Sequence, residues 1–240
     1  MANFMILFLV ALLSATAGAS VTAPRYDTKM CVDRLVARAV KQDAVFQAAH
    51  DVAKTARRNK TLQVREQLAL MHRADQAARS TLLLASRRCA VQFASPLLST
   101  AITLMATVDQ RNLAALKALL LTVQWPVISK YGRHADQTAF LIVQHADDDA
   151  SFQRQTLVLL ESLVVTKETS AENYALLFDR VALSDKKPQR YGSQGECEAG
   201  DWKPSEIEDI ANVDFRRAAL GLGKLSSYVV QAKRLLCASE

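Results

Sequence analysis

Turn-forming residues are scarce in this chain of 240 residues, which has only 7 glycines and 5 prolines. A β-sandwich or β-barrel uses such residues at every hairpin, so those classes are excluded. The abundance of Ala and Leu points instead to helices. Aromatic side chains make up 6% of the chain and do not interleave with the basic residues. A stacking platform for nucleic acid is therefore missing. No Cys-x-x-Cys occurs among Cys31, Cys89, Cys197 and Cys237, which excludes a zinc ribbon and a thioredoxin-like redox site. Internal repeats and low-complexity tracts are absent as well. No apolar run approaches the roughly 20 residues of a membrane span.

The longest apolar run, Phe4 to Leu13, has the length of a signal-peptide core. Ala17-Gly18-Ala19 follows with small residues at the positions a signal peptidase reads, making residues 1–19 a signal peptide and Ser20 the first mature residue. No Lys or Arg precedes the run, so an uncleaved anchor is the rival reading. Residues 14–20 are too small and polar to extend the run into a span. The expected location is periplasmic or secreted, with no stable membrane span after cleavage. Four cysteines in an oxidising compartment form an even set with three possible pairings.

The net charge of +6 is uneven. From Ser20 to Trp125 there are 16 Lys and Arg against 7 Asp and Glu, or +9; from Pro126 onward there are 14 against 17, or −3. Acidic residues are interspersed throughout the basic half, as on solvated helix faces, and no nucleic-acid partner is expected.

Heptad-like spacing predicts a helix from about Asp27 to Arg58, with Leu35, Ala39, Phe46, Ala49 and Ala53 on one face. Asn59-Lys60-Thr61 supplies a turn and a new N-cap. A second helix runs toward Phe93, with Leu68, Met71, Ala78, Leu82 and Ala85 inward. Cys31 lies 29 residues before Lys60 and Cys89 lies 29 after it. An antiparallel helical hairpin brings these two level, which pairs Cys31 with Cys89 and leaves Cys197 with Cys237. Residues 20–94 thus form an N-terminal helical hairpin, and 95–240 a C-terminal helical domain. Within the latter, Ser95-Pro96 starts a helix, and Thr107-x-x-Gln110 opens another that ends before Trp125-Pro126. A helix after Gly132, running to Ala146, is apolar on every side and therefore buried. Asp148 or Asp149 caps the next helix and Ser170 the one after. The stretch from Ser184 to Ser205 reads as one long loop. Two short helices follow, separated by Gly221-Leu222-Gly223. The fold class is all-α.

Polar chemistry concentrates in three segments. Gln144-His145-Ala146-Asp147 ends the buried helix, Asp179-Arg180-Val181 lies on a later one, and Gln189-Arg190-Tyr191-Gly192-Ser193-Gln194 lies in the loop. With Trp125-Pro126, Asp75-Gln76-x-x-Arg79, Val213-Asp214-Phe215-Arg216-Arg217 and Gly221-Leu222, they resemble the motifs of a bacterial family known only as a domain of unknown function. The resemblance begins near Met71 and is densest from Trp125 to Tyr228. Ser193 stands where the family usually has Thr, Gln124 where Gly is common before Trp, and Lys187 where Gly usually precedes Pro-Gln. The family implies no activity.

His145, oriented by Asp179, has the chemistry of a general acid or base, and these two are the catalytic candidates. Arg180 can grip a carboxylate or phosphate. Gln144, Gln189 and Gln194 can fix a polar ligand by their amides, and Tyr191 can stack or donate. A blander arrangement has His145 capping its own helix while Asp179 and Arg180 pair across helices. Ser193, His145 and Asp179 have triad composition, but Gly192-Ser193-Gln194-Gly195 is not a nucleophile elbow. His134 and His145 lie about 16 Å apart along one helix, too far to share an ion. Asp147-Asp148-Asp149 reads as helix termination and capping. No metal or cofactor is expected. His50 and His72 read as surface or half-buried residues without partners. Two functions fit: an exported non-catalytic protein binding a small polar or anionic ligand or a protein partner, or a hydrolase or transferase using His145.

Overall fold

The computed structural model describes residues 26–55, 59–91 and 95–237. The expected signal peptide and the end of the first predicted helix lie outside them. The chain divides into two compact units, one ending at His145 and the other beginning at Ala146. The boundary expected at residues 94 and 95 falls inside the first unit, because the helix that follows packs back onto the hairpin.

In the N-terminal unit, α1 (Tyr26–Thr55) and α2 (Lys60–Arg88) form the hairpin. Asn59 caps α2, its side-chain oxygen accepting from the Thr61 amide at 2.9 Å. Leu68, Met71, Ala78, Leu82 and Ala85 are all buried, as their spacing predicts. The core of Val32, Ala78, Leu82 and Ala85 continues onto Leu98, Ala101 and Met105 of the next segment. Cys31 and Cys89 are bonded across the open end of the hairpin.

Ser95 caps a 3₁₀ turn at Pro96–Leu98 that runs straight into α3 (Ser99–Val123). The helix start expected at Thr107 is absent. Thr107 sits in mid-helix and donates its hydroxyl to the Thr103 carbonyl at 2.8 Å, so its side chain never meets the backbone N–H that a cap would satisfy. Gln124, at φ 59°, ends α3. After the short α4 (Ile128–Tyr131) comes α5 (Arg133–Gln144), buried on nearly every side. The indole N–H of Trp125 donates to the fully buried Asp136 at 2.8 Å and anchors the first turn of α5.

In the C-terminal unit, α6 (Ala150–Val165) is capped by Asp149 and α7 (Ala171–Ser184) by Ser170. The stretch expected to be loop up to Ser205 contains an antiparallel hairpin, β1 (Gly195–Glu198) and β2 (Asp201–Pro204), turning at Ala199-Gly200. Its strands are mostly exposed and carry only one buried aromatic, Trp202, so no apolar alternation announces them. The hairpin is fixed from outside: Cys197 is bonded to Cys237, and Trp202 lies edge-on to Tyr228 with centroids 5.5 Å apart. Gly195 is obligatory, because a Cβ there would sit 2.2 Å from the Lys203 carbonyl oxygen. Last come α8 (Val213–Ala219) and α9 (Leu225–Leu236). Gly221, at φ 71°, closes α8, with the Leu222 amide reaching back to the Arg217 carbonyl. The fold is all-α apart from this hairpin. No helix among the described residues is long and apolar enough to cross a membrane.

Candidate functional site

α5 ends at His145, which is the C-cap residue and places its imidazole in the interior of the N-terminal unit, with 5% of the side chain exposed. The carboxylate that holds it is Asp75 on α2, whose Oδ1 lies 2.8 Å from His145 Nδ1. The orienting role expected of Asp179 therefore belongs to Asp75. The same oxygen accepts from Arg79 Nη1 at 2.7 Å, and Oδ2 accepts from the Gln76 amide at 2.7 Å. Arg79 then grips Asp109 of α3 with two parallel bonds of 2.9 and 3.0 Å. One buried guanidinium thus cross-links α2 and α3, and the end of α5 joins them through Asp75.

Burial pushes the Asp75 carboxyl up, but the charges of His145 and Arg79 and the hydrogen bonds from His145 and Gln76 outweigh it and hold the group below the ordinary carboxylate range. Asp75 is therefore ionised at neutral pH, and a carboxylate only accepts, so His145 Nδ1 carries the hydrogen. Asp109 moves the other way, because burial there exceeds the pull of Arg79. The signs of the two contributions to stability are opposite. That of Asp75 is present above about pH 4 and lost as pH falls through its lower folded value. That of Asp109 is present at low pH and lost as pH rises through its higher folded value. Denaturation midpoints between pH 5 and pH 3 should therefore fall less steeply for Asp75→Asn than for the wild type. Parallel slopes would remove Asp75 as the acid-sensitive group.

Asp75, Asp109 and His145 also offer three possible metal-ligand atoms within 4.8 Å of one another. The Arg79 guanidinium bridges the two carboxylates, so the cation at this position is the chain's own, and a divalent ion would have to displace it. His145 Nε2 and Arg79 Nε are sealed from solvent with no hydrogen-bond partner among the described residues. Of the other imidazoles, His50 is more buried than expected, and His72 meets His134 edge-on with centroids 5.0 Å apart.

In the C-terminal unit Asp179, Gln189, Tyr191 and Gln194 form a second network. Asp179 on α7 is fully buried and accepts from the backbone amides of Arg190, Tyr191 and Ser193 at 2.7, 2.9 and 2.8 Å. Burial pushes its carboxyl up against the pull of those three donors. Gln189 donates to the carbonyls of Gln194 and Ser205, both at 2.8 Å, and accepts from the Gln194 amide. Tyr191 packs its ring edge-on to Phe178 at 5.6 Å. Gly192, at φ 69°, lets the loop pass Leu225, since a Cβ would lie 2.7 Å from that side chain. Arg180 pairs with Asp147 at 2.5 Å rather than with Asp179. Gln144 is buried on α5.

Sequence reasoning registered Asp75 and Arg79 as a motif but gave them no role, although their spacing of one helical turn is that of an internal ion pair. Asp109 carried no signal, being a lone acid in a stretch read as a helix start. No curated protein and no solved structure matches the chain. A family model matches residues 62–236, and by it the chain belongs to a family of unknown function, DUF6624.

Proposed function

We propose that the chain is an exported, non-catalytic helical protein that binds a small polar or anionic ligand, with the His145 and Asp179 networks organising its two units. Export rests on the apolar segment Phe4–Leu13 with the small residues before Ser20, and two disulfides suit an oxidising compartment. The observation that carries the non-catalytic assignment is the closure of His145. Its Nδ1 is taken by Asp75 and its Nε2 is shut off from solvent, so no substrate proton comes within reach. Asp179 is likewise spent on three loop amides.

One observation favours the alternative, a hydrolase or transferase. An imidazole whose Nδ1–H is held by a carboxylate has its ring orientation fixed by it, the arrangement of a general acid or base. The two assignments separate under mutation. In the binding protein, His145→Ala removes a charge-assisted hydrogen bond from buried Asp75 and lowers stability by about 2 kcal/mol in urea unfolding. In the enzyme, His145→Gln folds normally and loses turnover of a hydrolytic substrate panel. Wild-type turnover that disappears in His145→Gln would overthrow the non-catalytic assignment.

A further inference from the structure

The C-terminal unit contains a cavity of about 230 Å³, lined in part by Glu172, Leu176, Ser193, Arg217, Lys224 and Tyr228. Arg217 is 5% exposed, an uncommon position for a guanidinium. Its Nε donates to the Gly223 carbonyl at 2.6 Å and its Nη1 to the Tyr191 carbonyl at 2.7 Å. The guanidinium carbon lies 5.1 Å from the centre of the Tyr228 ring. Two neutral carbonyls and a ring face hold the cation in place, and the carboxylates of Asp214, Asp179 and Glu172 act on it only at longer range. Among the described residues no carboxylate lies within ion-pair distance of Arg217, and its hydrogen bonds run from Nε and Nη1, not from Nη2. The Tyr228 hydroxyl is spent as well, donating to the Ser193 carbonyl at 2.9 Å.

A buried guanidinium whose carboxylate neighbours stay beyond ion-pair distance is costly to desolvate, so an anion that reaches Nη2 becomes its direct partner. Among the lining residues Arg217 and Lys224 contribute two positive charges and the exposed rim residue Glu172 one negative charge, a wall that suits a single negative charge, while Asp179 and Asp214 act on Arg217 from outside the lining. The volume falls below the roughly 300–1,000 Å³ of sites for drug-sized molecules. Leu176 and Leu222 supply apolar wall for a carbon skeleton. We propose that this cavity binds a small, singly charged organic carboxylate, with an oxygen on Arg217 Nη2 and its hydrocarbon part against Leu176 and Leu222. The proposal rests on the ligand-binding assignment above, but it puts the ligand on residues outside both the His145 network and Arg180.

The test is an NMR titration of the isotopically labelled mature protein with acetate, propionate and benzoate, and with chloride as control. Saturable shifts are expected at Ser193, Tyr228, Gln231 and Arg217 Nε for the carboxylates and not for chloride. Ser227→Trp fills the cavity from an exposed position on α9 without touching the Arg217 bonds, and should abolish the shifts. Lys224→Glu should weaken binding about two- to fivefold. Saturable shifts that map elsewhere and survive Ser227→Trp would sink this site while leaving a binding protein in place. A titration in which no carboxylate gives saturable shifts would also overturn it, whereas the non-catalytic assignment is decided separately by the His145 variants.

Discussion

Arg79→Met is expected to destabilise the N-terminal unit by about 3–5 kcal/mol, the cost of stranding buried charge. Among the described residues Arg79 alone donates to both Asp75 and Asp109, and its own side chain is 5% exposed. Methionine fills a similar volume and keeps helix propensity, so packing and backbone preferences change little. What remains are two carboxylates facing each other in a closed space, with His145 and Gln76 reaching only Asp75. A triple variant that also replaces Asp75 and Asp109 by Leu should recover much of the loss, because a buried ion cluster contributes little net stability over a well-packed apolar one. Urea unfolding followed by circular dichroism measures both. A change below about 1 kcal/mol in Arg79→Met would mean that the cluster is hydrated or loosely formed.

The second large effect is expected on breaking the bond between Cys31 and Cys89. It closes a loop of 58 residues, for which chain-entropy reasoning gives about 4 kcal/mol. Much of α1 depends on it. Val40, Val45 and Val52 are exposed, and inward contact comes largely from small or half-buried residues such as Leu35, Ala39, Phe46 and Ala53. The Arg111–Asp43 pair adds a tie near mid-helix. A Cys31→Ser/Cys89→Ser double variant should therefore lose the α1 amide protection from hydrogen exchange before that of α3 or α5. Uniform protection in the variant would show that α1 is held by its packing alone.

The hairpin was legible because helix periodicity, an Asn cap and equal cysteine spacing all pointed to the same antiparallel pair. α5 was legible because a segment apolar on every side has only the interior to occupy. The partner of His145 was not. Asp75 lies 70 residues earlier in the chain, and a motif spacing reports which residues share a helix face without saying what that face meets. The β1–β2 hairpin escaped for another reason. Its stability comes from Cys237 and Tyr228, distant residues that leave no mark on the local pattern. Arg217 stood in a recognised motif, yet a motif does not say that its hydrogen-bond acceptors are backbone carbonyls rather than acids.

Each covalent clasp closes on its own side of the junction between His145 and Ala146: Cys31 with Cys89 before it, Cys197 with Cys237 after it. A single protease cut near Asp147–Asp149 would thus yield two fragments that separate on a denaturing gel without any reductant. Among the described residues no disulfide crosses that junction, so the peptide backbone at that short acidic stretch carries the covalent link between the two units.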